Sequence, residues 1–201
     1  MWGLFPLAFD FLRKGCCFLL DRHLISYCSP TLASLKAASL FRLSYSCQEE
    51  LDTCIASHGA HLAQKGVSIT ILRQSAQSAL IYVYREKTLL EDLQKPGVSR
   101  FLQKLGYDAS CAQGAVARLR RRLALSEDFP HEIGLFLGYP LWDVCGFIHY
   151  KGKNCKCCGH WKVYYRKEDA EKMFRRFNQC RHVYQRLWES GKSVLQLTVS
   201  A

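Results

Sequence analysis

Cys155, Cys157 and Cys158 stand within four residues of one another, followed by Gly159 and an aromatic run, and no other side chains in the sequence are so well placed for chemistry. Cys155 and Cys158 form a C-x-x-C pair in a loop that leads into a strand. Such a pair makes a knuckle, in which two thiolates and neighbouring backbone N–H groups converge on one ion. Structural zinc takes four tetrahedral N or S ligands, and the sequence has no second C-x-x-C. Further ligands therefore have to be recruited singly, from Cys157, Cys145 or His149, with Cys180, His160 and His182 as other sources. Cys145 and His149 are four apart, which places them on one face of a helix. The expected metal site is Cys155, Cys158, Cys157, Cys145 and His149, with zinc or iron as its ion. Thiol redox chemistry is the second reading, because Lys151, Lys153, Lys156 and Lys162 would lower the thiol pKa values. The bland reading is a tight turn lined by small reduced thiols.

Other constellations are weaker. His131 could act as a base for Cys158 or Cys28, but no triad order or oxyanion motif accompanies it. Its sequence, His131-Glu132-Ile133-Gly134, is not H-E-x-x-H. Glu132 sits where a helix begins, and the helix dipole alone favours a carboxylate there. Gly152-Lys153 and Gly191-Lys192-Ser193 lack the preceding glycine spacing of a P-loop. Arg118, Arg120, Arg121 and Arg122 are the strongest basic run, and Ala115, Val116, Leu119 and Leu123 form the apolar face of the same helix. Those arginines read as a solvated face unless exposed aromatics join them, as nucleic-acid binding requires. Cys47, Cys54, Cys111 and Cys180 lie on or beside apolar stripes and read as core fillers.

The elements that must position these groups follow from two periodicities. Leu51, Cys54, Ile55, His58 and Leu62 recur at helical spacing. Val67, Ile69 and Ile71 alternate with polar residues, Gln74 to Ser78 turns the chain, and Leu80, Tyr82 and Tyr84 resume, which predicts an antiparallel hairpin. Helices follow at about 86–94, 98–105 and 110–124, with Pro96-Gly97 and Gly106 as punctuation. Trp161, Val163 and Tyr165 predict a short strand. Ala170, Met173, Phe174, Phe177, Tyr184, Leu187 and Trp188 share one face of a helix over roughly 168–189, packed on the sheet. Ala38–Tyr45 and Val194–Val199 read as further strands. The sum is an α+β fold: a single domain with a small, mainly antiparallel sheet and helices on one face.

Three segments carry a family resemblance. Pro130 to Tyr165, PHEIGLFLGYPLWDVCGFIHYKGKNCKCCGHWKVYY, resembles the signature of the family catalogued as domain of unknown function 3793. Tyr27 to Lys36, YCSPTLASLK, is similar to that family's Cys-Ala-Pro-Thr-Leu-Ala-Gly-x-Lys pattern, and the ending Gly191 to Val199 is a third match. The resemblance covers roughly residues 20 to 201. It implies a cytoplasmic bacterial protein in a redox or iron setting, with a redox partner such as flavodoxin, and it specifies no reaction. Residues 1–20 stand outside it as an N-terminal extension, and 21–201 make one domain. Cys157 is less typical of the family pattern than its two neighbours.

Composition narrows the classes. The chain has 201 residues, 49% of them hydrophobic, enough for one substantial core. Its 28 Lys and Arg against 17 Asp and Glu give a net charge of +11, which makes nucleic acid a candidate partner. Eleven cysteines, an odd number, without a signal-peptide pattern favour reduced thiols over a disulfide scaffold. Asp10, Arg13 and Lys14 break the apolar N-terminal run well before a membrane span is reached. The leading expectation is a metal- or thiol-dependent accessory protein in redox or iron metabolism. The alternatives are a basic RNA- or DNA-binding module and a cysteine/histidine-dependent enzyme.

Overall fold

The computed structural model describes residues 5–125 and 129–200, with side chains from Cys17 onward. Helix α1 (Phe5–Leu32) leads into strand β1 (Ala38–Ser44), helix α2 (Gln48–Ala63) and the hairpin of β2 (Val67–Gln74) and β3 (Ser78–Arg85). Helices α3 (Glu86–Gln94), α4 (Pro96–Lys104), α5 (Ala112–Leu125), α6 (Ile133–Phe136) and α7 (Leu141–His149) follow. A small hairpin of β4 (Cys157–Cys158) and β5 (Lys162–Val163), the long helix α8 (Lys167–Glu189) and the turn α9 (Val194–Leu197) complete the chain. β3 is the central strand of the larger sheet, antiparallel to β1 and to β2. The α+β class with a small antiparallel sheet is therefore as the sequence indicates. No helix among the described residues is long and apolar enough to cross a membrane.

Helices cover both faces of this sheet, where the sequence led us to expect one. The reason lies in β3, whose residues Ala79 to Tyr84 are apolar at both parities, and such a strand is stable only when both its faces are buried. Ala79, Ile81 and Val83 join Phe41 and Leu43 of β1 under α1 and α2. Tyr82 and Tyr84 point the other way, into a core with Leu89, Leu119 and Phe136 from α3, α5 and α6. The buried Tyr82 phenol donates to Phe136 O at 2.6 Å, so its hydroxyl costs little to bury.

Helix α8 buries Ala170, Phe174, Phe177 and Tyr184, with Met173 and Trp188 half-buried. Its partners are not the sheet. Phe174 and Phe177 pack on Trp161 and Val163, and Tyr184 packs on the core built with α1. The segment after Gly191 forms the helical turn α9 instead of a strand. Ser193 and Gln196 make a capping box there, with reciprocal side-chain and backbone bonds, and that local pairing outweighs the strand-like alternation.

Arg85 ends β3 with its side chain 2% exposed. Its Nε donates to Thr31 O at 2.7 Å, and Nη2 donates to Leu32 O at 2.6 Å and Val199 O at 2.7 Å. Nη1 reaches Lys65 O at 3.4 Å. One buried cation thus satisfies carbonyls at the end of α1, before β2 and at the C-terminal segment. Burial pulls its pKa down, but a guanidinium stays charged in proteins.

The domain boundary expected at residue 20 falls inside α1. Leu20 is 0% exposed, and the Phe18 ring lies 5.5 Å from that of Trp188. The apolar run from Trp2 to Phe9 lies outside the described side chains. A chain starting at residue 17 should melt like the full chain, whereas one starting at residue 21 should lose about 2–5 kcal/mol with the buried leucine. Equal midpoints for the two truncations in thermal unfolding would contradict this. Phe177→Ala, which empties the contact between α8 and Trp161, should cost about 3–5 kcal/mol in urea unfolding.

Candidate dithiol site

Asp143, in the first turn of α7, organises the segment around the cysteines. Its carboxylate is 2% exposed. Oδ2 accepts from Trp161 Nε1 at 2.8 Å, and Oδ1 accepts from the backbone N of Tyr164 at 2.8 Å and of Tyr165 at 3.1 Å. A buried carboxylate is tolerable when N–H donors meet its lone pairs in this way. The bonds fasten α7 to the strand that leaves the knuckle. Two glycines let the pieces touch. A Cβ on Gly146 would lie 2.6 Å from the Tyr164 ring, and one on Gly159 would lie 2.2 Å from Phe174.

Between α7 and β4 the chain doubles back through left-handed residues, Lys151 at φ 50°, Gly152 at 75° and Asn154 at 57°. Lys156 N then donates to Val163 O at 2.7 Å, and Gly159 N donates to Trp161 O at 3.0 Å, closing a tight hairpin. This turn brings Cys155 Sγ to 3.5 Å from Cys158 Sγ. Cys158 is exposed and Cys155 half-buried. Cys157 faces the other way, onto the cluster of Trp161 and Phe174, because successive strand residues point to opposite sides.

Electrostatics correct one expectation. Lys162 pairs with Cys158 across the hairpin and lowers its pKa, yet the thiol stays above its ordinary value. The hydrogen bond with Cys155 is the largest cause, followed by desolvation and the Cys155 charge. Two of the four nearby ammonium groups have partners of their own: Lys162 Nζ donates to Gly152 O at 2.7 Å, and Lys156 Nζ lies 5.8 Å from the Tyr165 ring centre. Lys162 therefore does not bring the Cys158 thiol below its ordinary value.

The remaining expected ligands stand apart. Among the described residues no group of three or more His, Cys, Asp or Glu side chains is placed to hold a metal ion. Cys155 and Cys158 meet, whereas Cys157, Cys145 and His149 do not gather around them. Burial raises the Cys145 thiol pKa, and the exposed His149 ring packs edge-on to Tyr150 at 4.7 Å. Cys180 packs in the core between α8 and α1, where burial pushes its thiol up to about 11. His160 Nε2 lies 3.0 Å from Asn178 Oδ1. His131 stacks edge-on to Phe147 at 5.0 Å and, among the described residues, has no hydrogen bond to a thiol. Cys28, its other suggested partner, is fully buried, and burial pushes that thiol up to about 12. Lys36, which closes the motif begun by Cys28, lies 5.2 Å from the Tyr139 ring centre, and burial draws its pKa down to about 8.

Asp143 escaped the sequence reading. Its only signal was a lone acid inside the apolar stretch Leu141-Trp142-Asp143-Val144. Asp143→Asn keeps the shape but replaces one acceptor oxygen with an amide that repels the N–H groups it faces. Given that hydrogen bonds to charged groups contribute about 1.5–3 kcal/mol, it should destabilise the fold by at least that much and alter the near-UV circular dichroism of Trp161. An unchanged spectrum and midpoint would remove Asp143 from its anchoring role.

No curated protein and no solved structure matches the chain. The model of the family described as Protein of unknown function (DUF3793) does match, over residues 24–198. That span runs from within α1 past α9 and includes Arg85, Asp143 and both knuckle cysteines. With most of its length and both faces of its sheet inside the match, the chain belongs to the DUF3793 family.

Proposed function

We propose that Cys155 and Cys158 are a redox-active dithiol, and that the protein is a thiol-dependent accessory protein of redox metabolism. The observation that carries this reading is the 3.5 Å separation of the two sulfurs on an anchored, solvent-facing hairpin. A disulfide needs about 2.05 Å between sulfurs, so closure requires only a small torsional adjustment of two side chains. The exposed Cys158 loses its proton and attacks one sulfur of an oxidised partner, whose other sulfur leaves as a thiolate and takes up a proton. Cys155 then loses its proton, attacks Cys158 Sγ and expels the remaining partner thiol. The net change is two thiols to one disulfide here and one disulfide to two thiols on the partner, with two electrons transferred.

The raised Cys158 pKa sets the character of this chemistry. A thiol held above its ordinary value is a slow nucleophile near neutrality, and as a thiolate it is a poor leaving group. The disulfide, once formed, is correspondingly stable. The same sulfur spacing also approaches the roughly 3.8 Å of two thiolates on one tetrahedral zinc, so metal analysis belongs in the test.

Protein purified anaerobically and treated with oxidised glutathione should lose the mass of two hydrogens. Cys155→Ser should trap a glutathione adduct on Cys158, Cys158→Ser should form neither product rapidly, and Cys157→Ser should behave as wild type. Equal oxidation of all three variants would overturn the assignment, as would one zinc or iron per chain whose chelation unfolds the protein. Alkylation of Cys158 by iodoacetamide should rise with pH through a midpoint above the ordinary 9.0. In Cys155→Ser the midpoint should move, because the thiol–thiol hydrogen bond is the largest cause of the shift.

A further inference from the structure

A second, independent feature lies on the other side of α7. The space enclosed by Ile133, Leu137, Tyr139, Val144 and Trp161 is a cavity of about 340 Å³. Phe129, His131 and Phe147 line both this cavity and an open groove of about 1320 Å³. The two spaces therefore adjoin at these side chains, with an apolar interior and an outer groove of different character. Arg118, Arg121, Arg122 and Lys151 line that groove.

Among the described residues this positive charge is only partly offset from within. Glu132 is the one carboxylate lining the groove among the described residues, and it is already engaged. Arg122 Nε lies 2.8 Å from its Oε1, and the Tyr107 hydroxyl donates to the same oxygen at 2.9 Å. Arg118 Nε is buried with no hydrogen-bond partner among the described residues, an arrangement that is costly unless something accepts from it. Arg121 and Lys151 stand exposed at the rim. Leu125, Phe129 and Ile148 leave large apolar surfaces in the same groove. At the inner end the oxygens of Asp143 hold the N–H groups of Trp161, Tyr164 and Tyr165, and among the described residues it forms no ion pair with the groove cations.

We infer that the cavity and groove bind a small amphipathic anion, its apolar body among Ile133, Val144 and Trp161 and its carboxylate or phosphate headgroup between Arg121 and Lys151. Ligand cavities begin at about 300 Å³, so the interior accommodates a ring system or a short branched or linear chain. The headgroup meets guanidinium and ammonium donors, which bind such oxyanions through charge-assisted hydrogen bonds. A polyanion would satisfy the arginines and leave the apolar interior empty. An uncharged hydrocarbon would fill the interior and leave the cations unmatched. The amphipathic anion answers to both halves.

The test uses the full reduced chain and the fluorescent aryl sulfonate anilinonaphthalene sulfonate. One equivalent should bind with blue-shifted emission, and octanoate should displace it. Octanol and inorganic phosphate, each supplying one half of the ligand, should displace it poorly at the same concentrations. Arg121→Glu combined with Lys151→Glu changes only exposed side chains and should weaken octanoate binding about tenfold or more with an unchanged circular dichroism spectrum. Leu137→Phe, which fills the interior, should reduce affinity for longer chains first. Octanol competing as well as octanoate, or the double charge reversal leaving octanoate unaffected, would overturn the inference. So would displacement of the dye by a single-stranded oligonucleotide or by anionic vesicles but not by octanoate. The Cys155→Ser, Cys158→Ser double variant should bind the dye as wild type does, so this result and the thiol chemistry stand or fall separately.

Discussion

The structure depends on a cation sealed inside it. Arg85 stands at the end of the central strand and donates to carbonyls of Thr31, Leu32, Lys65 and Val199. Two of those carbonyls belong to the last turn of α1, where the helix leaves them without internal partners and where the negative end of its dipole lies. No carboxylate is needed to hold the charge, because helix end and guanidinium suit each other. Since Arg85 also binds the C-terminal segment, α1, the sheet and the chain end are fixed relative to one another. Helix α8 is then laid along α1, and the knuckle is carried on α8.

Asp143 repeats the same logic with the opposite sign on the other side of the molecule. A buried carboxylate gathers three N–H groups and so sets α7 against the hairpin that bears Cys155 and Cys158. Both anchors are single ionised groups satisfied by neutral dipoles, and neither is an ion pair. Removing either one takes a partner from several polar groups at once, so each is worth more to the fold than a surface salt bridge.

The two proposed sites share α7 and Lys162. Lys162 lines the apolar cavity and faces Cys158 across the hairpin, its ammonium held by Gly152 O. Aromatic packing separates them otherwise: the Trp161 ring is stacked on Tyr139 at 4.9 Å and edge-on to Phe174 at 4.5 Å. The basic surface follows the same division. Arginines of α5 gather at the groove with Lys151, while Lys162 and Lys156 of the knuckle meet a backbone carbonyl and an aromatic ring.

What the sequence determined was local. The hairpin from Val67 to Arg85, helix α3 from Glu86 to Gln94 and the apolar stripe of α8 were legible because side-chain period is set by backbone geometry and needs no distant partner. The meeting of Cys155 and Cys158 was legible for the same reason, since a tight turn of C-x-x-C spacing brings its ends together. Tertiary structure decided whatever required a choice among partners. It buried the sheet on both faces, laid α8 on α1 and the knuckle, and turned Val194–Leu197 into a capped helix. It also directed Cys157 into an aromatic cluster and left Cys145 and His149 away from the pair. Helical spacing places Cys145 and His149 on a common face, but the direction of that face depends on Asp143, whose partners are about twenty residues away along the chain. The cavity beside His131 was invisible for the same reason. Its walls come from α6, α7 and the knuckle, and its charge comes from α5, an assembly that no local pattern records.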